Sequence, residues 1–511
     1  MDRAIPDNIL RGELLHLASE PGCVICRAVH TAVDRFFAWY IIEQYREPSI
    51  IQRMQEARGF CPEHTRQFVA LSSPHLVSTV YRDLLASAAT LVRSAVRESS
   101  TFPGMLADRI RPQVTCVACK HQEAAVDQIA RGLPVGLTDS QVRAAILRPS
   151  AVCLPHFVHL LPSLDWEAAR LFAHAQLAQL QAAWAEYDTD AEPTELVRLL
   201  VGATSDEAFL APTERASMAN PADTPVADSM SMLDAPGAAG SGNVPTEQPS
   251  WSPAMARVEA LLKATGCPLC GEEESTATTY LRWLSSELSE REPSQAVNDA
   301  LWLCRSHLWR FIRNGDDKAV RGLLRSVYAY WKGVLQALVS GLDRPPPKSF
   351  AARCWHGMVD ARQRTPRVTR WCALWEGIAE GRRSMAIRLA ELRGPVVRTC
   401  LCPVCRFQRE HADRLAELLD RAMGDAGIAR RYEDASGVCF RHLPLAIRCC
   451  TEPGNVRLLL RTQYTRVAVI HWELEEQWRK HDWAHRWELS GDEQDAWRRA
   501  VAQYTGNDVT R

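Results

Sequence analysis

Twelve of the seventeen cysteines in this 511-residue chain, and four of its fifteen histidines, fall into one repeated pattern. A Cys-x-x-Cys knuckle is followed, after 33 or 34 intervening residues, by Cys-x-x-His. Cys23 and Cys26 precede Cys61 and His64; Cys116 and Cys119 precede Cys153 and His156. Cys267 and Cys270 precede Cys304 and His307; Cys402 and Cys405 precede Cys439 and His442. Four recurrences at near-constant spacing define an internal repeat.

The chemistry shared by these residue types is metal coordination. Two thiolates of a knuckle grip one ion and a Cys-x-x-His pair completes a tetrahedron. Cys3His is a closed donor set for structural zinc, with bonds of about 2.0–2.3 Å. The simplest pairing joins each knuckle to the Cys-x-x-His that follows it, so Cys61 and His64 complete the site begun by Cys23 and Cys26. About four Zn2+ ions per chain are then expected as cofactors. Three thiolates leave the site anionic, which Arg27, Lys120 and Arg406, directly after their knuckles, can offset.

Other chemistries fit less of the pattern. Iron–sulfur clusters also use cysteine and histidine, but the spacing matches no cluster signature. Haem attachment needs histidine directly after the knuckle, where this chain has Arg27, Lys120, Gly271 and Arg406. A redox dithiol uses only the first pair and leaves the recurring Cys-x-x-His without a role. Glu63 resembles a catalytic base, yet Pro155, Ser306 and Arg441 take its place in the other repeats, which reads as a structural turn.

Helices must position these ligands. Apolar or small residues recur seven, ten, eleven and fourteen positions after the second knuckle cysteine: Val33, Phe36, Phe37 and Tyr40; Ala277, Tyr280, Leu281 and Leu284; Ala412, Leu415, Ala416 and Leu419. That is one face of a helix. A shorter helix follows, opened by Glu47-Pro48-Ser49 and again by Glu292-Pro293-Ser294, where serine can cap. Gly59 and Gly437 sit where that helix ends. In the second repeat Gly132, Pro134 and Gly136 are expected to break the first helix early, with a new start at Thr138 to Ser140. Four residues beyond the histidines, Phe68, Leu160, Phe311 and Ala446 mark a turn of helix leaving the site. Long amphipathic segments then begin near Leu76, Ala168, Ala319 and Val456. No alternating strand pattern occurs, so the fold class is all-α: tandem helical modules, each organised by a Cys3His site.

Residues 1–100 and 101–200 read as the first and second modules. Residues 203–253, rich in Ala, Pro, Ser, Thr, Gly and Asp, read as a disordered linker between two halves. Residues 254–345 form the third module and 391–511 the fourth. Between them, 346–390 read as a basic insertion, because the C-terminal knuckles start 135 residues apart against 93 in the N-terminal half. From Arg344 to Arg398 there are twelve Arg or Lys and four Asp or Glu.

The motif Gly59-Phe60-Cys61-Pro62-Glu63-His64, with Cys-x-x-Cys upstream and helical sequence between, resembles an uncharacterised bacterial family classed as a domain of unknown function. In that family such ligand sets recur along a helical chain. The resemblance covers both halves apart from linker and insertion, and carries over onto the twelve cysteines and four histidines named above. The second and fourth modules lack the Gly-Phe-Cys-Pro wording. It implies a fold and metal binding, and no activity.

Sixty basic residues against sixty-one acidic give no global attraction to nucleic acid or anionic membrane. The first residues lack a basic-then-apolar leader and no stretch of about 18 apolar residues offers a membrane span. A cytoplasmic protein without membrane contact is expected, in which cysteines serve metal rather than disulfides. A closed donor set predicts a non-catalytic zinc-binding scaffold for macromolecular interaction, with protein the expected partner. Trp472, Trp478, Trp483, Trp487 and Trp497 can form a recognition face, although packing onto the chain's own core is the simpler expectation. Nucleic-acid binding is the alternative, through Arg362, Arg364, Arg367, Arg370, Arg382 and Arg383 beside Trp371 and Trp375. A second alternative is a metal-dependent hydrolase using His481-Asp482-Trp483-Ala484-His485, a relative of His-Glu-x-x-His with the shorter aspartate in place of glutamate. Cys354, Cys372, Cys400, Cys449 and Cys450 remain outside the pattern; Cys400 can substitute as a ligand and Cys449-Cys450 can sense oxidants, with buried or inert thiols as the simpler reading.

Overall fold

The computed structural model describes residues 7–99, 102–148, 151–164, 166–189, 192–202, 252–290, 303–343 and 402–506. The basic insertion, most of the linker, Glu292 to Ser294, and Cys354, Cys372 and Cys400 lie outside the described residues. Those described are helical, with no strand among them. None of their helices is long and apolar enough to cross a membrane.

The N-terminal half contributes α1 Asp7–Ser19, α2 Val24–Ile42, α3 Pro48–Glu56, α4 Pro62–Leu71, α5 Pro74–Arg97, α6 Pro103–Ile110, α7 Val117–Gly136, α8 Ser140–Ile146, α9 Leu154–Leu160, α10 Trp166–Asp188 and α11 Thr194–Val201. The C-terminal half contributes α12 Ser252–Lys263, α13 Pro268–Glu290, α14 Arg305–Asn314, α15 Asp317–Leu342, α16 Pro403–Ala422, α17 Ala426–Asp434, α18 Leu443–Cys449, α19 Pro453–His481 and α20 Ala496–Thr505.

Local sequence explains the helix boundaries. Ser73 accepts a hydrogen bond from Leu76 N at the start of α5, and Asp139 accepts from the backbone of Gln141 and Val142 at the start of α8. Asp425 caps α17 in the same way. Ser49, by contrast, does not cap α3: Glu47 takes that position and Pro48 opens the helix with its preset φ. Gly59 and Gly437 do adopt the left-handed conformation expected after a helix end. Helix α7 runs through Gly132 and Pro134 to Gly136 rather than breaking early. Burial of Ile129, Ala130 and Leu133 on that stretch holds it against the hydrogen bond that proline removes.

The hydrophobic residues form two cores, and each core draws on both halves. One gathers α1, the start of α2, the end of α7, α9, α10 and α11 with α13, α14 and α15. The other gathers the rest of α2, α3 to α6 and the start of α7 with α12, the later part of α16 and α17 to α20. Helices α2 and α7 pair along their lengths and pass from one core to the other, and α13 pairs with α16. Between halves, α5 lies along α19 and α10 along α15. Ser78 Oγ donates to Gln477 Oε1 at 2.6 Å, Tyr504 Oη donates to Leu84 O at 2.7 Å, and Trp184 stacks on Tyr328 at 4.6 Å. Leu85 and Val92 of α5 and Leu459 and Leu460 of α19 are fully buried in one shared core, each contributing about 1.5–3 kcal/mol.

Candidate metal centres

All sixteen expected ligands converge, in four groups: Cys23, Cys26, Cys153 and His156; Cys61, His64, Cys116 and Cys119; Cys267, Cys270, Cys439 and His442; Cys304, His307, Cys402 and Cys405. The partners differ from the simplest sequence pairing. Each knuckle meets the Cys-x-x-His of the other module in its half, so Cys61 and His64 close on Cys116 and Cys119, not on Cys23 and Cys26. Helix length is the reason. The 19 residues of α2 carry the chain about 28 Å from its knuckle, and the nine residues of α3 return it by only about 13 Å. The Cys-x-x-His pair therefore stops about 15 Å short of its own knuckle, beside the distal half of α2, where the neighbouring α7 begins. Phe37, on the distal half of α2, has its ring 6.3 Å from that of His64.

The geometry fits one tetrahedral ion per group. Bonds of about 2.3 Å to sulfur and about 2.0 Å to nitrogen give tetrahedron edges of about 3.8 Å between sulfurs and about 3.5 Å between sulfur and nitrogen. The sulfurs stand 3.9 Å apart for Cys26–Cys153, and 3.7 Å apart for Cys61–Cys119, Cys270–Cys439 and Cys304–Cys405. Every histidine presents Nδ1, at distances from 3.1 Å (Cys270 to His442) to 3.7 Å (Cys116 to His64). These sulfur separations far exceed the about 2.05 Å of a disulfide, and all of the ligand cysteines are free thiols. The four donors in each group lie within 4.8 Å of one another, the span of a single ion's coordination shell.

Helix starts supply the compensating charge. Cys23, Cys61, Cys116, Cys153, Cys304 and Cys402 are the N-caps of α2, α4, α7, α9, α14 and α16, so thiolates sit at the positive ends of helix dipoles. Two of the three basic residues after the knuckles do other work. Arg27 holds the carbonyls of Leu17, Glu20 and Pro21, bracing the loop into the first knuckle, and Arg406 faces Glu410 at 3.8 Å.

Burial disfavours charge on each imidazole, yet the facing thiols raise its pKa: to about 10 for His64, about 9 for His156 and His307, and about 12 for His442. Cys26, Cys116 and Cys402 are held well below the ordinary thiol range by hydrogen bonds from neighbouring cysteines. Each group thus favours one positive charge among its sulfurs. A cation entering there displaces the imidazole and thiol protons, so binding releases protons.

Three neighbours escaped the sequence reading. Gly202 and Gly506 end α11 and α20 at φ +82° and +94°. A Cβ on Gly202 would stand 3.3 Å from Cys26 Sγ, and one on Gly506 would overlap Cys270 Sγ and lie 2.9 Å from Cys439 Sγ. Each half therefore lays the end of its last described helix over one metal centre, and only glycine permits that approach. The third neighbour, Glu273, has Oε1 3.2 Å from His442 Nε2. A glycine after a short amphipathic helix was the one available signal for the first two; Glu273 gave none.

His481 and His485 are not brought into any of the four groups. Helix α19 ends at His481, so the two do not share a helix face as a His-x-x-x-His motif requires. His481 stacks on His75 at 4.6 Å and His485 Nδ1 lies 3.0 Å from Glu488. Of the five C-terminal tryptophans only Trp497 is buried; Trp472, Trp478, Trp483 and Trp487 are exposed, against the expectation that they pack inward. The Arg486 guanidinium lies 5.4 Å and 4.5 Å from the Trp483 and Trp487 rings. Cys449 is half-buried and its thiol is pushed up to about 11 by burial and nearby carboxylates; Cys450 is buried and raised as well, so both are poor nucleophiles.

No family model matches the chain, and no solved structure matches it. It is similar to the "Uncharacterized 23.9 kDa protein in xynA 3'region" of Caldicellulosiruptor sp. (strain Rt8B.4), at 23% identity over 145 residues. That match covers 28% of this chain and 66% of the relative.

Proposed function

We propose that the chain is a zinc-stabilised, non-catalytic helical scaffold whose surface mediates macromolecular interaction, with protein as the partner class. The observation carrying this reading is the closed donor set: three sulfurs and one imidazole nitrogen at tetrahedral spacing leave no position for a reacting water. Cys3His at these distances suits Zn2+, which binds soft thiolates and imidazole in this geometry. Zinc would then hold helix starts together and leave the outer faces free. The exposed Trp483 and Trp487, with Arg486 across both, supply a surface of the residue types that dominate interface hot spots.

Chelation followed by circular dichroism tests the structural role of the metal. Loss of helicity and of cooperative melting is expected in metal-free protein; unchanged helicity and melting would sink the proposal. For the surface, the Trp483→Ala/Trp487→Ala variant should keep its metal and its melting temperature while losing partners cross-linked to the unaltered chain. Recovery of the same partners by that variant removes this surface from the reading.

A further inference from the structure

The four centres share one donor set but not one environment. The Cys267, Cys270, Cys439 and His442 group alone has all four ligands buried, whereas each of the other groups includes at least one cysteine that is only partly buried: Cys23, Cys61 and Cys119, or Cys304 and Cys405. It lies beneath Gly506, whose backbone closes over Cys270 and Cys439, a roof it shares in kind with the Cys26 and Cys153 centre under Gly202. It also has the carboxylate of Glu273 at 3.2 Å from the ring nitrogen facing away from the sulfurs.

Glu273 is placed by its own knuckle. It lies three residues after Cys270, one turn along α13, and is itself mostly buried, with Arg441 Nη2 at 3.0 Å and 2.9 Å from its two oxygens. The residues at the same offset in the other repeats are Val29, Gln122 and Gln408, none of which is a carboxylate. A carboxylate accepting from Nε2–H fixes the tautomer that leaves the Nδ1 lone pair for the metal. It also fixes the ring plane and raises the basicity of the ligand.

Resting on the zinc reading above, we infer that Glu273 is a positioning residue for His442, and that the Cys267/Cys270/Cys439/His442 centre is the tightest and slowest-releasing of the four. The three half-open centres exchange their ion first; this one anchors the fold. Its roof, α20, ties to the other half through the Tyr504 hydrogen bond to Leu84 O, so release here also loosens the join between halves.

The test uses the full chain purified with its metal and assayed first for zinc content. Excess chelator is added with iodoacetamide, and alkylation of each cysteine is followed by peptide mapping. Cys267, Cys270 and Cys439 should be alkylated last. Glu273→Ala should speed their alkylation by about 10–100-fold while the other nine ligand cysteines keep their rates. Glu273→Gln, which retains an acceptor oxygen, should fall between. Gln122→Ala, at the matching offset, should leave all rates unchanged. Equal rates at all four centres in the unaltered chain overturn the inference. So does a Glu273→Ala effect that is absent or is spread over every centre. Native protein without zinc instead refutes the metal reading itself, and this inference with it.

Discussion

Replacing Cys26 and Cys153 together by serine removes two donors from one tetrahedron, since their sulfurs are 3.9 Å apart. Replacing Cys26 and Cys61 removes one donor from each of two. From about four ions in the native chain, the first double variant should keep about three and the second about two. The energetics follow the same division. Binding of a structural zinc is worth about 10–16 kcal/mol in small zinc domains, a ceiling for a chain that also has large cores. Once Cys26 is lost, removing Cys153 adds little, so that pair should be strongly non-additive in a urea melt. Cys26 and Cys61 act on separate centres and should be near additive. Elemental analysis of the folded fraction, with paired urea melts of singles and doubles, gives both readouts. Closure of each knuckle on the Cys-x-x-His next in sequence predicts the reverse: about three ions for Cys26→Ser/Cys61→Ser and about two for Cys26→Ser/Cys153→Ser. That reversal would refute the crossed arrangement.

Two further outcomes follow from the packing. Phe68 is fully buried against Phe60 and Tyr40, with ring centroids at 5.3 Å and 5.7 Å. Phe68→Ala should cost about 3–5 kcal/mol in urea unfolding, and a loss under about 1 kcal/mol would contradict that packing. Asp420 is buried, which opposes its charge, but Thr451 N at 2.9 Å, Thr451 Oγ1 at 2.7 Å and Asn455 Nδ2 at 2.8 Å bind the carboxylate and lower its pKa on balance. A lowered folded-state pKa contributes stability above the ordinary carboxylate value that is lost as pH falls through the folded one. Asp420→Asn should therefore be less stable by about 1–3 kcal/mol at neutral pH, with the gap closing in acid; a gap independent of pH would show that Asp420 is not held ionised.

The fold class was legible because helical periodicity depends only on local sequence. Val33, Phe36, Phe37 and Tyr40 are buried on one face as expected, and Phe68, Leu160, Phe311 and Ala446 are buried where their turns leave the sites. Ligand identity was legible too, since Cys-x-x-Cys and Cys-x-x-His each bring two donors within one short turn of chain. Ligand partnership was not. It depends on where a 19-residue helix delivers the chain, and the unequal lengths of α2 and α3 were the overlooked sign. The composition of the two cores was hidden for a related reason: α2 and α7 cross from one to the other, which no single repeat reveals. Tryptophan exposure failed in the other direction. Helix α19 ends at His481, and the turn beyond it lifts Trp483 and Trp487 off the body.

Elemental analysis of the native, untreated chain bears most directly on the proposal that the four closed Cys3His groups hold zinc. About four zinc ions per chain, with no iron, is the predicted result; protein that is folded yet metal-free, or that carries iron in place of zinc, would contradict it.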